Sequence, residues 1–263
     1  MLIFRDYKNI PQKYKGSVIA IGNFDGIHKG HKYVLESASR KIIGQDINMA
    51  VLTFEPHPIK ILRPLDWKKR LVNFRTKIRL LKSMQVDVVF ALRFNSNLSK
   101  FKARDFLQKI IINNLEASRV VVGEDFRFGF KREGDTSLIE EYSNKGFFSI
   151  DVKKKKLIDN NICSSSIIRD MILEGNVKEA YKYLGYFWEV EGKVVHGEAR
   201  GRELGFPTAN LNYINQIIPS RGIYSAWIKI EGEKAWRKGA VSSGVRPQFG
   251  IGKELLEVHI LDF

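Results

Sequence analysis

From residue 1 to about 152 the chain alternates short apolar runs with segments whose apolar positions recur every three or four residues. The runs at 18–21, 49–54, 86–92, 120–122 and 147–152 have strand length and are rich in Val, Ile and Phe. Between them, 32–43, 75–83, 103–113 and 137–144 carry helical spacing. Such alternation predicts an α/β unit, a parallel sheet with helices on both faces that binds ligands at the carboxyl ends of its strands. After one more helical segment, 177–184, the pattern changes. Runs at 187–195, 222–231, 235–242 and 255–261 read as strands joined by glycine-containing connections, which predicts a small antiparallel β-barrel or sandwich. The expected division is 1–185 and 186–263, with the boundary near Gly185.

The stretch Gly22-Asn23-Phe24-Asp25-Gly26-Ile27-His28-Lys29-Gly30-His31 joins the first run to the first helical segment. A strand, tight turn and helix leave unpaired N–H groups and the positive end of a helix dipole at one spot. Gly30 would let the backbone approach a bound group, His31 is expected on an open cleft, and with His28 beside it the place suits a polyphosphate. A metal site would need further ligands at suitable spacing, and the chain has one Cys and five His.

A length of 263 residues with 44% hydrophobic content fits a globular protein of one large or two modest domains. The net charge of +15 is the kind of excess that attracts anionic nucleotides. Its lysines and arginines are scattered and no nucleic-acid-binding motif accompanies them, so no nucleic-acid partner is expected. The dense run Lys153-Lys154-Lys155-Lys156 reads as a solvated loop. Cys163 is the single cysteine, consistent with a reducing, cytoplasmic setting, and no signal peptide or bilayer-length apolar run is seen.

Further candidate sites follow predicted strands or open helices. Phe54-Glu55-Pro56-His57-Pro58 reads either as a rigid loop brace or as a site wall in which His57 is a polar contact. Asp125, Phe126, Phe128 and Arg132 lie in the glycine-punctuated stretch 122–134, suited to holding a planar ring by stacking and a few hydrogen bonds. Cys163-Ser164-Ser165-Ser166 before a helix expected at 170–174 reads as N-capping hydroxyls or, with Arg169, as a second phosphate cradle. In the second unit, Thr208 and Asn210 follow a glycine-rich segment and can both face a hard cation such as Mg²⁺. Glu257 alternates with His259 onto one strand face, as an edge-strand charge or as a working group.

Together these motifs resemble the bacterial bifunctional riboflavin kinase and FAD synthetase family, a Rossmann-like nucleotidylyltransferase domain followed by a β-barrel kinase domain. The resemblance rests on Gly22–His31, the 122–129 stretch, Ser164–Arg169 and Gly205-Phe206-Pro207-Thr208-Ala209-Asn210. It implies that FMN and ATP become FAD and pyrophosphate with Mg²⁺ as cofactor, and that a kinase module acts on riboflavin. By resemblance His28 and His31 contact the α- and β-phosphates, while Gly22, Asn23, Phe24 and Gly30 belong to the ATP turn. Ser165, Ser166 and Arg169 hold the β- and γ-phosphates, and Asp125, Phe126, Phe128, Arg132 and His57 serve the flavin nucleotide. Glu257 is the kinase base, with Thr208 and Asn210 for Mg²⁺. The sequence departs from the family at Ile167 and Gln248 and stops at Phe263, which implies an incomplete barrel and weak or absent riboflavin phosphorylation. The alternatives are another nucleotidylyltransferase, or a non-catalytic basic nucleotide- or RNA-binding protein on the same scaffold.

Overall fold

A computed structural model describes residues 1–40, 47–67, 69–195, 206–245 and 254–263. The chain forms two compact units, residues 1–68 with 74–164, and residues 69–73 with 165–263.

The first unit runs β1 (Leu2–Phe4), β2 (Val18–Ile21), α1 (Lys29–Arg40), β3 (Met49–Glu55), α2 (Pro58–Leu62), α3 (Phe74–Ser83) and β4 (Val88–Arg93). It continues with α4 (Ser96–Ser99), α5 (Ala103–Asp105), β5 (Arg119–Gly123), α6 (Thr136–Asn144), β6 (Ser149–Lys153) and a small hairpin, β7 (Leu157–Ile158) with β8 (Asn161–Ile162). Six strands form one parallel sheet in the order β1-β4-β3-β2-β5-β6. Successive side chains divide between two cores, as strand geometry requires. Ile19, Ile21, Ala50 and Leu52 pack on one face of the sheet, whereas Val18, Ala20, Met49 and Val51 pack on the other. Continuous apolar runs were therefore the right signature of strands covered on both sides.

Strand order reverses at β2, which has β3 on one side and β5 on the other. In sheets of this kind ligands bind outside the carboxyl ends of the strands at such a switch point, here those of β2 and β5, where the Gly22–His28 turn and the 123–134 loop begin. The segment expected as a helix over 103–113 is instead α5 followed by a π-helix, Phe106–Ile112, with Phe106, Leu107, Ile110 and Ile111 buried. The end of the helix expected at 32–43 lies outside the described residues.

The second unit contains α7 (Ser165–Leu173), α8 (Val177–Leu184) and β9 (Lys193–Val195), then β10 (Ala209–Asn212), β11 (Gly222–Ile228), β12 (Arg237–Val245) and β13 (Glu254–Ile260). Its antiparallel sheet has the order β11-β12-β13-β10-β9, and no pairing between β11 and β9 occurs among the described residues. α8 ends at Gly185 in the left-handed conformation, φ 72°, a common helix stop. α7 begins at Ser165, ahead of the expected 170, because Ile168 and Ile172, one turn apart, are both fully buried.

Residues 69–73 act as a strap that folds with the second unit although the first unit flanks it in sequence. Arg70 N–H donates to the Asn215 carbonyl and Ile217 N–H to the Arg70 carbonyl, both at 2.9 Å. The Leu71 carbonyl accepts from Trp188 Nε1 at 2.8 Å and from Gln216 Nε2 at 3.1 Å. Only Lys193–Val195 of the expected strand 187–195 is a strand, since Trp188 and the Glu189 carbonyl engage the strap and its holder Gln216.

Candidate active site

The turn after β2 is built from left-handed backbone at Phe24 (φ 48°), Gly26 (φ 86°) and Ile27 (φ 40°). Such φ values strain a side-chain-bearing residue by roughly 1–3 kcal/mol, more for a β-branched one, and persist where surrounding packing imposes them. Here Phe24 and Ile27 are anchored in the core at 2% and 0% exposure. The Asn23 carbonyl beneath the turn accepts from Lys77 Nζ at 2.7 Å and from Thr53 Oγ1 at 3.2 Å.

His28 occupies the cap position of α1. Its carbonyl accepts from Lys32 N–H at 2.9 Å, and its Nδ1 accepts from His31 N–H at 3.3 Å. An accepting Nδ1 places the ring proton on Nε2, which is then a donor. Cys163 Sγ lies 3.5 Å from the same Nδ1. The two imidazoles stack at 3.6 Å and 23°, and Phe24 meets His31 edge-on at 5.3 Å. Burial lowers the His28 pKa to about 4 against an opposing pull from Asp25. His31 is also held well below its ordinary value, first by burial and then by His28 and Lys77. At neutral pH the pair is therefore uncharged.

The expectation of an open cleft needs correcting. His28 is buried, and His31 is half-buried with its Nδ1 closed to solvent and without a hydrogen-bond partner. Gly30 also has close neighbours within the chain: a Cβ there would stand 3.0 Å from the Cys163 carbonyl and 3.1 Å from the His28 ring.

His57 caps α2, its Nδ1 accepting from Ile59 N–H at 3.3 Å, and its ring lies 5.2 Å from that of Trp67. The brace reading thus has a direct geometric basis. In the 123–134 loop Phe128 is a core residue, 6% exposed, and stacks on half-buried Phe126 at 5.4 Å. Phe128 thereby sets the position of Phe126, the more accessible of the two rings. Asp125 is exposed and pairs with Lys155 at 3.4 Å, while Arg132 is exposed on left-handed backbone, φ 61°. The lysine run is not a detached loop. Glu124 N–H donates to the Lys153 carbonyl and Lys155 N–H to Glu124 Oε1, each at 2.9 Å.

Ser165 and Ser166 lie in the first turn of α7, not before it, and Arg169 Nε donates to the Lys69 carbonyl at 3.2 Å. This cluster belongs to the second unit. On the sheet of that unit Asn210 of β10 faces Glu257 of β13 as a directly opposed pair, with Ser242 of β12 opposite Glu257 on its other side. Opposed residues share a face. Asn210 is 8% exposed, and its Oδ1 has no hydrogen-bond partner. Thr208 is exposed just ahead of β10; the preceding 197–205 and the 246–249 segment lie outside the described residues.

Sequence reasoning missed Lys77 and Thr53. Lys77 sits with Leu81 on the buried face of α3, so a charged residue at an apolar-face position was the available signal.

Residues 10–167 match the FAD synthetase family and 184–263 the riboflavin kinase family. The chain belongs to the bifunctional riboflavin kinase/FMN adenylyltransferase family. The member from Buchnera aphidicola subsp. Acyrthosiphon pisum is 36% identical over 267 residues, covering 100% of this chain and 84% of its own. That of Escherichia coli (strain K12) is 33% identical over 263 residues, with 100% and 84% covered. A crystal structure described as a macrolide-efflux protein from Streptococcus pneumoniae superposes with a TM-score of 0.87 at 30% identity, covering 99% of this chain and 84% of that one. Among the described residues no helix is long and apolar enough to cross a membrane. The family assignment accounts for both sheets, the parallel one that carries the histidine turn and the antiparallel one that carries Asn210 and Glu257.

Proposed function

We propose that the first unit adenylylates FMN. An FMN phosphate oxygen attacks the α-phosphorus of ATP in line, the bond to the β-phosphate breaks, and FAD and pyrophosphate are released. The observation that carries this reading is the neutral, stacked His28–His31 pair at the start of α1, on a strained turn at the switch point of the sheet. Such a site needs no side-chain nucleophile, because catalysis consists of positioning and of donors aimed at developing charge. His28 donates from Nε2 to a phosphate oxygen, and the first N–H groups of α1 take the negative charge that builds on the leaving pyrophosphate. A phosphate-holding role for Ser165, Ser166 and Arg169 is supported by their motif. Phe126, set by Phe128, stacks on the flavin, with Asp125, Arg132 and His57 as polar contacts.

The second unit phosphorylates riboflavin: Glu257 takes the proton of the 5′-hydroxyl as the hydroxyl oxygen attacks the γ-phosphorus of ATP, the bond to the β-phosphate oxygen breaks, and FMN and ADP are released. Asn210 Oδ1, shielded and without a partner, fits a hard cation, and the Thr208 hydroxyl completes an oxygen-only donor set suited to Mg²⁺. A bound Mg²⁺ supplies charge neutralisation on the ATP phosphates. Both reactions belong to the cytoplasm, in keeping with the lone, reduced Cys163.

The purified chain is incubated with ATP and Mg²⁺, once with FMN and once with riboflavin, and the flavins are separated by chromatography. FAD from FMN is expected in the first arm and, against the weak or absent riboflavin phosphorylation expected from the sequence, FMN in the second. Absence of FAD overturns the first assignment, and absence of FMN overturns the second.

A further inference from the structure

We propose that Lys77 is a positioning residue of the adenylyl-transfer site, its buried ammonium pinning the phosphate turn through the Asn23 carbonyl and placing a fixed positive charge beneath it. The inference rests on the adenylyl-transfer reading above and adds to it a residue outside the motifs. Lys77 is 2% exposed on α3, in a row otherwise suited to apolar packing. Burying an ammonium is costly unless it is paired, and a Met or Leu would fill that position without the cost. The sequence nevertheless places a cation there, under a turn whose ligand is anionic.

The geometry gives the ammonium a specific task. The Asn23 carbonyl accepts from Lys77 and from Thr53 Oγ1, which occupies both of its lone pairs. Across a trans peptide the C=O and the following N–H point in opposite directions. With the carbonyl of Asn23 held toward α3 and β3, the Phe24 N–H is aimed away from them, on the left-handed backbone of the turn. A charge held in a low-dielectric interior also acts more strongly on a phosphate than one in water.

The same charge reaches the histidines. Asp25 on the turn acts on His28, whose Nδ1 has Cys163 Sγ 3.5 Å away, and Lys77 on α3 disfavours protonation of His31. The uncharged pair leaves Lys77 as a cation that donates directly to the turn from within the core.

Two variants separate charge from geometry. Lys77→Gln keeps an N–H donor near the Asn23 carbonyl and loses the charge, whereas Lys77→Met loses both. The turnover number for FAD formation is expected to fall about tenfold in Lys77→Gln and about a hundredfold in Lys77→Met, with KM for FMN changed only a few-fold. The titration midpoint of the His31 ring, followed by NMR, is expected to rise in both, a readout that a purely structural role would not move. Wild-type turnover in Lys77→Gln together with an unshifted His31 midpoint overturns the proposal. Should Lys77→Met fail to fold, Lys77→Gln decides by the same two criteria. Absence of FAD formation by the unaltered chain would instead overturn the activity reading, and the His31 midpoints would still test the influence of Lys77.

Discussion

His28 accepts the backbone N–H of His31 at its Nδ1 while the two imidazoles stack 3.6 Å apart. One histidine is therefore both the cap of α1 and half of the ring pair. Replacing His31 by Ala leaves the backbone bond and removes the stacking partner. FAD formation is expected to fall by about a hundred- to a thousandfold, the usual loss for one preorganised group at developing charge. The lost contacts to His28 and Phe24 are expected to cost roughly 1–2 kcal/mol of stability, read as a lower urea midpoint. Undiminished turnover would remove the pair from the mechanism.

Stability should depend on pH through His28. Its pKa of about 4 in the folded chain, against the ordinary 6.5 of an unperturbed histidine, means that the unfolded chain takes up a proton first as pH falls. The contribution is fully present above about pH 6.5, declines as pH drops toward 4, and amounts to roughly 3 kcal/mol over that window. Urea denaturation at a series of pH values should show this slope in the wild type and a shallower one in His28→Gln. Equal slopes would mean that the ring is not held neutral.

Gly30→Ala should act through packing. The added methyl would press on the Cys163 carbonyl and the His28 ring at 3.0–3.1 Å, and one of them must move. Overpacking of this kind costs about 1–3 kcal/mol, and displacement of the ring should lower turnover about a hundredfold. A variant with wild-type stability and rate would show that the neighbours yield freely.

In the second unit Glu257→Gln should lower riboflavin phosphorylation by about a hundred- to ten-thousandfold, the range for loss of a general base. Asn210→Ala should instead raise the Mg²⁺ concentration needed for half-maximal rate. Adenylylation of FMN, assayed in the same preparations, should continue in both variants. Equal loss of both activities would point to misfolding rather than to the loss of these groups.

Deleting residues 186–263 removes Trp188, Asn215, Gln216 and Ile217, the partners of the strap. The Leu71 carbonyl would then lose both of its side-chain donors. The shortened chain is expected to melt at a lower temperature and to aggregate more readily than the full one. An equally stable, fully active fragment would show that the strap is dispensable to the first unit.

The parallel sheet was legible because strands buried on both faces leave unbroken apolar runs, and the turn because a strand, three glycines and two histidines occur in one stretch. What stayed hidden depends on tertiary context. The second phosphate cluster reads as a loop before a helix, yet burial of Ile168 and Ile172 starts α7 at Ser165. Phe128 looks like an accessible ring in a loop, but packing against Phe106 and under Phe126 makes it core. Lys77 is invisible to any motif, since its meaning lies in the carbonyl it reaches from another element. The strap eluded the pattern as well, because residues 69–73 are paired by residues far along the chain.

That pairing has a bearing on synthesis and inheritance. A ribosome releases residues 69–73 and every strand of the parallel sheet before Trp188 and Gln216 exist, so Leu71 must wait in the nascent chain for partners still to be translated. The gene carries the same interleaving. A single crossover near codon 165 would exchange the rest of the second unit while leaving its strap behind, so a viable chimera must import residues 69–73 along with it.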